Sequence, residues 1–334
     1  MPELNTAVIP REIGDASPPM VATTDAPACD LCGSEDAADG ATGYDYELLT
    51  CSNRWRFVVC RRCGHCWLNP RPAAEALPVI YPPTYYAYNY ERISAIARKG
   101  KEVLDAGKLR SILRISGGTP ARYLDVGCGD GRYLEAMARR GAPRSSLSGL
   151  ELDDTVVAGL RQRGFDAYRE PVESCSRFGD ATFDLITMFH VIEHVASPRA
   201  TVERMAGWLA PGGVLAIETP NLDSLDARLF ASGTWGGFHI PRHWHLFTPA
   251  TLTRMLESVG LEVETIRFQT GHAFWMYSLH HQLRYADPPR PRLARFFDPF
   301  SSVPPLVLFT AFDRARASLG AKTSAMLAVA RRPA

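Results

Sequence analysis

The residues best suited to do chemistry lie in a glycine-rich turn near the middle of the chain, where Asp125 precedes three alternating glycines. These are Gly127, Gly129 and Gly131. Glycines let the backbone turn tightly and approach a ligand closely. A dinucleotide-binding loop has the spacing Gly-x-Gly-x-x-Gly, whereas here the third glycine comes one residue early, and Asp125 would repel a pyrophosphate. The turn therefore predicts a site for a nucleotide cofactor with a cationic tail.

A second carboxylate stands where a ribose-binding acid is expected. Residues 146–152 form another short apolar run, with an acid at its next-to-last position. Glu151 in this run lies about 20 residues beyond the last glycine. A carboxylate at this place can accept hydrogen bonds from both ribose hydroxyls. The sequence thus assigns the amino acid tail of the cofactor to Asp125 and the ribose to Glu151.

The Asp-x-Gly-x-Gly-x-Gly pattern resembles motif I of the class I S-adenosylmethionine-dependent methyltransferases. The segment His-Val-Ile-Glu-His at 190–194 resembles the His-x-x-Glu-His segment of bacterial small-molecule methyltransferases, including those of coenzyme Q biosynthesis. The resemblance, which covers 29 to 331, implies S-adenosyl-L-methionine as the cofactor. It also implies that Val172, Glu173 and His190 contribute to cofactor binding.

The alternation of apolar runs and helical patterns predicts the elements that position these residues. Strands are expected at 123–126, 146–152, 165–168, 183–189 and 214–219. Repeated strand, helix, strand units imply a doubly wound parallel sheet that binds ligands at the carboxyl ends of its strands. A sixth strand at 261–268 and an antiparallel seventh at 323–331 complete the prediction. The expected fold class is α/β, with a seven-stranded Rossmann-like methyltransferase sheet.

Two Cys-x-x-Cys-Gly knuckles form the second strong pattern. Their cysteines are Cys29, Cys32, Cys60 and Cys63. Four thiolates at this spacing predict a small N-terminal zinc ribbon, with 44–49 and 56–59 paired as strands. Because four thiolates leave no open position for water or substrate, the zinc is expected to be structural. A disulfide framework fits poorly with a long chain whose cysteines are concentrated towards one end.

Histidines in two segments are candidates for the base that would remove an acceptor's proton. The glycine-punctuated loop 233–248 contains His239, His243 and His245. Its Pro-Arg-His-x-x-x-Phe-Thr sequence resembles a segment of zinc-bearing sugar and antibiotic-pathway methyltransferases, and this resemblance implies a general base at His243. His190 and His194 are the alternatives. His243 and His245 would share one face of an extended strand, although each could instead be hydrogen-bonded within the loop.

The residue before His243 departs from the resemblance. Deoxysugar C-methyltransferases have an acid at the matching place, whereas this chain has Arg242. The difference favours O-methylation over C-methylation of a ketosugar. Glu193 and His194 could alternatively bind a divalent metal, but the sequence shows no third ligand at a suitable spacing.

Three segments beside the predicted core could contact a substrate. The stretch 81–90 contains five tyrosines that either cap the active site or pack the ribbon onto the main domain. The helical pattern of 91–116 predicts a pair of helices over the cleft. The insertion 269–322 is rich in apolar and aromatic residues, and this surface is expected to pack against a partner. The expected roles, in order of preference, are a lid over a bulky substrate, a homodimer interface, and a peripheral membrane contact with arginines at the headgroups.

The predicted domain order follows from these patterns. It is a disordered leader at 1–27, a zinc ribbon at 28–72, a tyrosine-rich connector and helical cap at 73–118, a methyltransferase core at 119–268, the insertion at 269–322, and the last strand and tail at 323–334. The leader is rich in Pro, Ala, Thr and Asp and has no apolar export segment, and no apolar run is long enough to span a bilayer. A cytoplasmic protein is therefore expected.

The charge balance narrows the class of acceptor. The 334-residue chain has 37 basic and 36 acidic side chains, which disfavours nucleic acid as a partner. The predicted function is methyl transfer from S-adenosylmethionine to a small molecule, either a glycosyl, lipid-linked or secondary metabolite, by in-line displacement with a histidine base. The alternative is a protein-docking or protein-modifying module that binds its partner through the ribbon. The sequence leaves the acceptor and the oligomeric state open.

Overall fold

The structure is a computed structural model that describes residues 18–82, 85 and 95–334. The first part of the predicted leader and most of the tyrosine-rich stretch lie outside these residues. The strands are β1 (Thr23–Thr24), β2 (Ala37–Gly43), β3 (Trp55–Cys60), β4 (Cys66–Leu68), β5 (Arg71–Pro72), β6 (Tyr123–Val126), β7 (Leu147–Glu151), β8 (Asp166–Arg169), β9 (Phe183–Phe189), β10 (Leu209–Pro220), β11 (His245–Leu246), β12 (Glu262–Gln269) and β13 (Ala325–Arg331). The helices are α1 (Leu77–Ile80), α2 (Ala95–Ile115), α3 (Arg132–Ala138), α4 (Asp154–Gln162), α5 (Pro198–Trp208), α6 (Leu225–Leu229), α7 (Pro249–Glu257), α8 (His272–Arg284), α9 (Pro291–Phe296) and α10 (Val303–Ser318).

Seven strands form one central sheet in the order β12-β13-β10-β9-β6-β7-β8. Strand β13 is antiparallel to its neighbours β10 and β12, and the pairs from β10 to β8 are parallel. This topology confirms the expected α/β class and the antiparallel seventh strand. Three of the helices, α8 to α10, lie in the insertion that separates β12 from β13.

Apolar side chains on both faces of the central strands hold the sheet between its helices. Alternate residues of β9 enter opposite layers, with Ile186 and Met188 in one buried cluster and Leu185 in the other. Helix starts are fixed locally, since Asp153 accepts a hydrogen bond from the Val156 N–H. The carboxyl ends of β6, β7 and β9, where the candidate site residues follow, therefore lie along one edge of a rigid sheet.

The ribbon sheet has the order β11-β4-β3-β2, so a strand of the histidine loop completes it. In this pairing His245 lies opposite Trp67 and Leu246 lies opposite Cys66. The prediction of a strand at 44–49 is wrong, because β2 ends at Gly43. Asp45 instead accepts hydrogen bonds from the Leu48 and Thr50 N–H groups and closes a turn.

Two predicted boundaries also differ from the structure. The leader was expected to extend to residue 27, yet β1 pairs with β5, and the indole of Trp67 donates to the carbonyl of Ala26. Residues 18–27 therefore pack on the ribbon. The helix pair expected at 91–116 is a single helix, α2, within the described residues, and it buries Leu109 and Ile112.

Candidate functional site

The glycine turn lies between β6 and α3, as predicted, and the end of β6 just before it contains a buried carboxylate with one unsatisfied oxygen. Asp125 is 2% exposed, and its Oδ1 accepts a hydrogen bond of 2.7 Å from the Thr187 hydroxyl. Its Oδ2 has no hydrogen-bond partner among the described residues. Burial raises the pKa of Asp125 to about 7. An ammonium group beside Oδ2 would satisfy this oxygen and lower that pKa, so the residue suits the cationic tail of S-adenosylmethionine.

Glu151 faces the same turn from the end of β7. Its Oε2 accepts from the Gly129 N–H at 2.9 Å, and its Oε1 accepts from the Leu152 N–H at 2.6 Å. A Cβ on Gly129 would meet no atom within 4 Å, whereas one on Gly127 would lie 2.3 Å from Val191. The turn thus needs glycine at Gly127 and leaves open space at Gly129, beside a carboxylate that can accept ribose hydroxyls.

Val172 and Glu173 follow β8 in a turn near the same edge of the sheet. Val172 is 5% exposed and packs in the main apolar cluster. Glu173 accepts a 2.9 Å hydrogen bond from the Ala196 N–H, which lies just after the segment 190–194. These contacts connect the two predicted cofactor segments.

The segment 190–194 follows β9 and places a buried carboxylate between two imidazoles. His190 has a φ of 56°, is 43% exposed and has its Nδ1 3.3 Å from Glu193 Oε1. Glu193 is fully buried, and its Oε2 accepts a 3.0 Å hydrogen bond from Thr219. His194 donates its Nδ1–H to the carbonyl of Arg242 at 2.9 Å. A non-glycine residue at positive φ is uncommon, and such residues cluster at functional sites.

His243 lies against this segment. Its Nδ1–H donates to the carbonyl of Gly237 at 2.8 Å, and its Nε2 is 4.0 Å from Glu193 Oε1. Because a carbonyl only accepts, His194 and His243 both carry the hydrogen on Nδ1 and leave Nε2 with a lone pair. Burial lowers the pKa of His194 to about 4 and holds that of His243 well below its usual range. Both imidazoles are therefore neutral at physiological pH.

The fold supplies a third candidate metal ligand that the sequence did not show. One ligand atom each from Glu193, His194 and His243 lies within 4.8 Å of the others. The expectation that no third ligand exists is therefore wrong, because His243 comes from a loop distant in sequence. A carboxylate and two neutral imidazoles whose Nδ1–H groups donate to carbonyls form a donor set that suits a divalent transition metal.

The four knuckle cysteines also converge. The Sγ atoms of Cys29 and Cys63 are 3.5 Å apart, as are those of Cys32 and Cys60. Despite burial, backbone hydrogen bonds from Cys63 and Arg62 lower the pKa of Cys60 to about 7. With zinc–sulfur bonds of about 2.3 Å, a tetrahedral site needs sulfurs slightly farther apart, so the cluster fits zinc after a small expansion.

A loop of the ribbon, residues 44–50, holds the residue before His243. The guanidinium of Arg242 donates to both carboxylate oxygens of Asp45, at 3.0 and 2.9 Å, and its Nε donates to the carbonyl of Ile80 at 2.7 Å. Both charged side chains are 0% exposed. Burial would raise the pKa of Asp45, but Arg242 holds it below its usual range. The charge of Arg242 is thus neutralised by Asp45 inside the protein and is not available to bind an acceptor.

The same ribbon loop provides a second carboxylate beside the histidines. Glu47 accepts from the Nδ1–H of His239, and the pair is almost fully buried. The Nε2 of His239 is therefore left to accept from the Tyr85 hydroxyl at 3.0 Å. The rings of His239 and His243 are 4.9 Å apart. Sequence patterns gave no signal for Glu47, since a single acid in a turn is typical of solvated loops.

His245 does not join this cluster. Its Nδ1 lies 3.0 Å from the Nε2 of His65, in the ribbon, and burial lowers the pKa of both rings to about 3. The prediction that His243 and His245 share a strand face is wrong, because β11 begins at His245. His245 instead connects the ribbon to the histidine loop.

Comparison with known proteins supplies an independent finding. The family described as "Methyltransferase domain" matches residues 81–266. The ubiquinone biosynthesis O-methyltransferase of Parvibaculum lavamentivorans is 36% identical over 164 residues, which cover 48% of this chain and 60% of that protein. The protein of the same description from Xanthomonas euvesicatoria pv. vesicatoria is 32% identical over 160 residues, covering 44% and 64%. The chain thus spans less than two thirds of the length of these relatives.

Among solved structures, an S-adenosylmethionine-dependent methyltransferase from Archaeoglobus fulgidus is similar to this chain with a TM-score of 0.45 and 20% identity. The similarity covers 69% of this chain and 94% of that one.

Proposed function

The chain belongs to the class I S-adenosylmethionine-dependent methyltransferases, and from this premise we propose that it methylates a hydroxyl oxygen of a small molecule. The observation that carries the proposal is the pair of neutral imidazoles beside the buried carboxylate of Glu193, at the strand edge that also holds the cofactor turn. The O-methyltransferase description of the curated relatives also favours oxygen as the acceptor atom. A glycosyl, lipid-linked or secondary-metabolite acceptor fits equally well.

The cofactor residues of the proposal are those at the glycine turn and the two segments beside it. Asp125 would receive the ammonium group and Glu151 the ribose, while Val172, Glu173 and His190 would complete the site. When bound, S-adenosylmethionine supplies an electrophilic methyl group on a sulfonium. The protein's task is then to align the acceptor oxygen with that methyl group and to receive the proton.

We assign the role of general base, which accepts the proton of the acceptor hydroxyl, to the Nε2 of His243, with His190 and His194 as alternatives. In this assignment the acceptor oxygen would use its own lone pair to bond the methyl carbon, and the electrons of the broken carbon–sulfur bond would remain on sulfur. The hydroxyl proton moves to Nε2. Glu193, 4.0 Å away, would stabilise the resulting imidazolium, and the Nδ1–H bond to Gly237 fixes the ring.

The candidate metal ligands Glu193, His194 and His243 support a second mechanism for the same reaction. A divalent metal held by Glu193, His194 and His243 would lower the pKa of an acceptor hydroxyl. The two mechanisms exclude each other, because the Nε2 of His243 cannot both bind a metal and accept a proton. Sensitivity to chelators decides between them.

The ribbon has a structural role in this proposal. Zinc on Cys29, Cys32, Cys60 and Cys63 would fix the knuckles, and the ribbon in turn contacts the histidine loop through β11 and Asp45. This internal use of the ribbon favours an enzyme over a protein-docking module. A thiolate zinc site is typical of a reducing compartment, which is consistent with the cytoplasm.

The experiment that tests the proposal uses methyl-labelled S-adenosylmethionine with the full chain and separate polar and lipid metabolite extracts. We expect label in a low-mass product that resists alkali, as a methyl ether does. The matched control is Asp125→Asn, which should strongly weaken both cofactor binding and labelling. Label on protein would instead support the docking alternative, and tight cofactor binding without any labelled product would contradict the enzyme assignment.

A further inference from the structure

The insertion between β12 and β13 concentrates the exposed apolar surface of the protein. The described residues expose thirteen large apolar side chains, and seven of them lie between 293 and 319. They are Leu293, Phe296, Phe300, Val307, Leu308, Phe312 and Leu319. Scattered apolar residues are normal on a protein surface, but a cluster of this size marks an interaction site.

Helix α10 is apolar on two sides. Its inner side packs on α8, where Phe309 stacks on Trp275 with ring centroids 5.5 Å apart. Its outer side exposes Leu308, Ala311, Ala315 and Leu319, at spacings of three and four residues. The outer side is therefore a continuous apolar stripe, with no described element packed over it.

Basic side chains accompany this apolar surface. The insertion 269–322 contains seven Lys and Arg residues and three acids, in a chain whose net charge is only +1. Of the three acids, Asp313 is fully buried. Arg290, Arg292 and Arg295 in and beside α9, and Arg314 on α10, are exposed and form no salt bridge with a described acid. Each helix thus carries unpaired positive charge next to exposed apolar side chains.

This combination points to one kind of partner. A second copy of the chain would bring two sets of unpaired arginines together, which like-charge repulsion opposes. No described helix is long and apolar enough to cross a bilayer. We propose that the outer face of α9 and α10 lies on the surface of an anionic lipid bilayer, with apolar side chains at the acyl boundary and arginines at the headgroups.

The proposal does not depend on the methyltransferase reaction, because a different helix of the insertion covers the site. The hydroxyl of Ser278 on α8 accepts a 2.8 Å hydrogen bond from the Gly236 N–H in the histidine loop. Phe274 on α8 lies with its ring 6.4 Å from that of His190. The lid role that the sequence favoured therefore suits α8, while α9 and α10 face outward.

The test is sedimentation of the full chain with vesicles of phosphatidylcholine, with or without phosphatidylglycerol. We expect binding only to the anionic vesicles, weakening as salt rises. The variant Arg290→Gln, Arg292→Gln, Arg295→Gln should bind on the order of 100-fold more weakly, at about fivefold per arginine. The variant Val307→Ser, Leu308→Ser should lose about tenfold or more while keeping the salt dependence.

Matched controls are Arg139→Gln with Arg140→Gln for charge and Met20→Ser for apolar exposure, all at exposed positions far from α10 in sequence. Cofactor affinity equal to that of the wild-type protein shows that each variant is folded. The proposal is overturned if the wild-type chain does not bind anionic vesicles, or if the controls weaken binding as much as the insertion variants. A dimer in sedimentation velocity that Leu308→Ser dissociates would assign the face to self-association and also overturn it.

Discussion

The ion pair between Asp45 and Arg242 gives the sharpest prediction about how the ribbon and the site depend on each other. Asp45→Asn removes a charge that accepts two guanidinium hydrogen bonds, and both side chains are 0% exposed. Arg242 would be left as an uncompensated buried charge. Breaking a buried pair in this way costs about 3–5 kcal/mol. Because Arg242 keeps its bonds to the carbonyls of Ile80 and Ile240, we expect a loss of about 3 kcal/mol.

The same ribbon offers a matched comparison in an exposed pair of similar length. Arg56 and Asp39 are 3.0 Å apart, but their side chains are 45% and 74% exposed. Asp39→Asn should therefore cost less than about 1 kcal/mol. Urea denaturation of the two variants measures the difference directly. Equal losses from Asp45→Asn and Asp39→Asn would refute the reasoning that burial makes the Asp45 pair important.

A double variant and a pH series separate charge from packing. Asp45→Leu with Arg242→Met removes both charges, and we expect it to be less destabilising than Asp45→Asn alone. Since the folded-state pKa of Asp45 lies below its usual value, its contribution is present above about pH 4 and is lost as the pH falls further. Wild-type stability should show this loss relative to the double variant. Turnover of Asp45→Asn should also fall while cofactor affinity is kept, because the pair holds the residue before His243.

Three further predictions concern the cofactor, the base and the metals. The raised pKa of Asp125, about 7, predicts that affinity for S-adenosylmethionine increases from pH 5 to pH 7, because the carboxylate must ionise to receive the ammonium group, whose own pKa is about 8. Calorimetric titrations that show the same increase in Asp125→Asn would contradict this prediction. His243→Ala should lower kcat by about 10²- to 10⁴-fold with unchanged cofactor affinity, and unchanged turnover would exclude His243 as base or ligand. A weak chelator that leaves the ribbon zinc in place should abolish turnover only if Glu193, His194 and His243 hold a metal. Cys60→Ser should lower the melting temperature and the zinc content of the protein under either mechanism.

The parts of the protein that could be predicted from sequence are those determined by neighbouring residues. The strand at 183–189, the glycine turn after Asp125 and the two cysteine knuckles all follow from periodicity or short spacing. The prediction of a ribbon strand at 44–49 was wrong because it did not weigh the Asp45 side chain, which closes a turn instead. Local chemistry thus misled the prediction where one side chain could compete with strand pairing.

The sequence by itself determined the α/β sheet, the cofactor turn and the four thiol ligands, because each is encoded in short-range patterns. Only the tertiary structure decided the composition of the histidine site. It brought His243 to Glu193 and His194, and it placed two ribbon carboxylates against the histidine loop, across sequence separations of 192 and 197 residues. No local pattern specifies such contacts, because they depend on how the ribbon packs on the sheet, and that packing is the sum of many apolar contacts and one shared strand, β11.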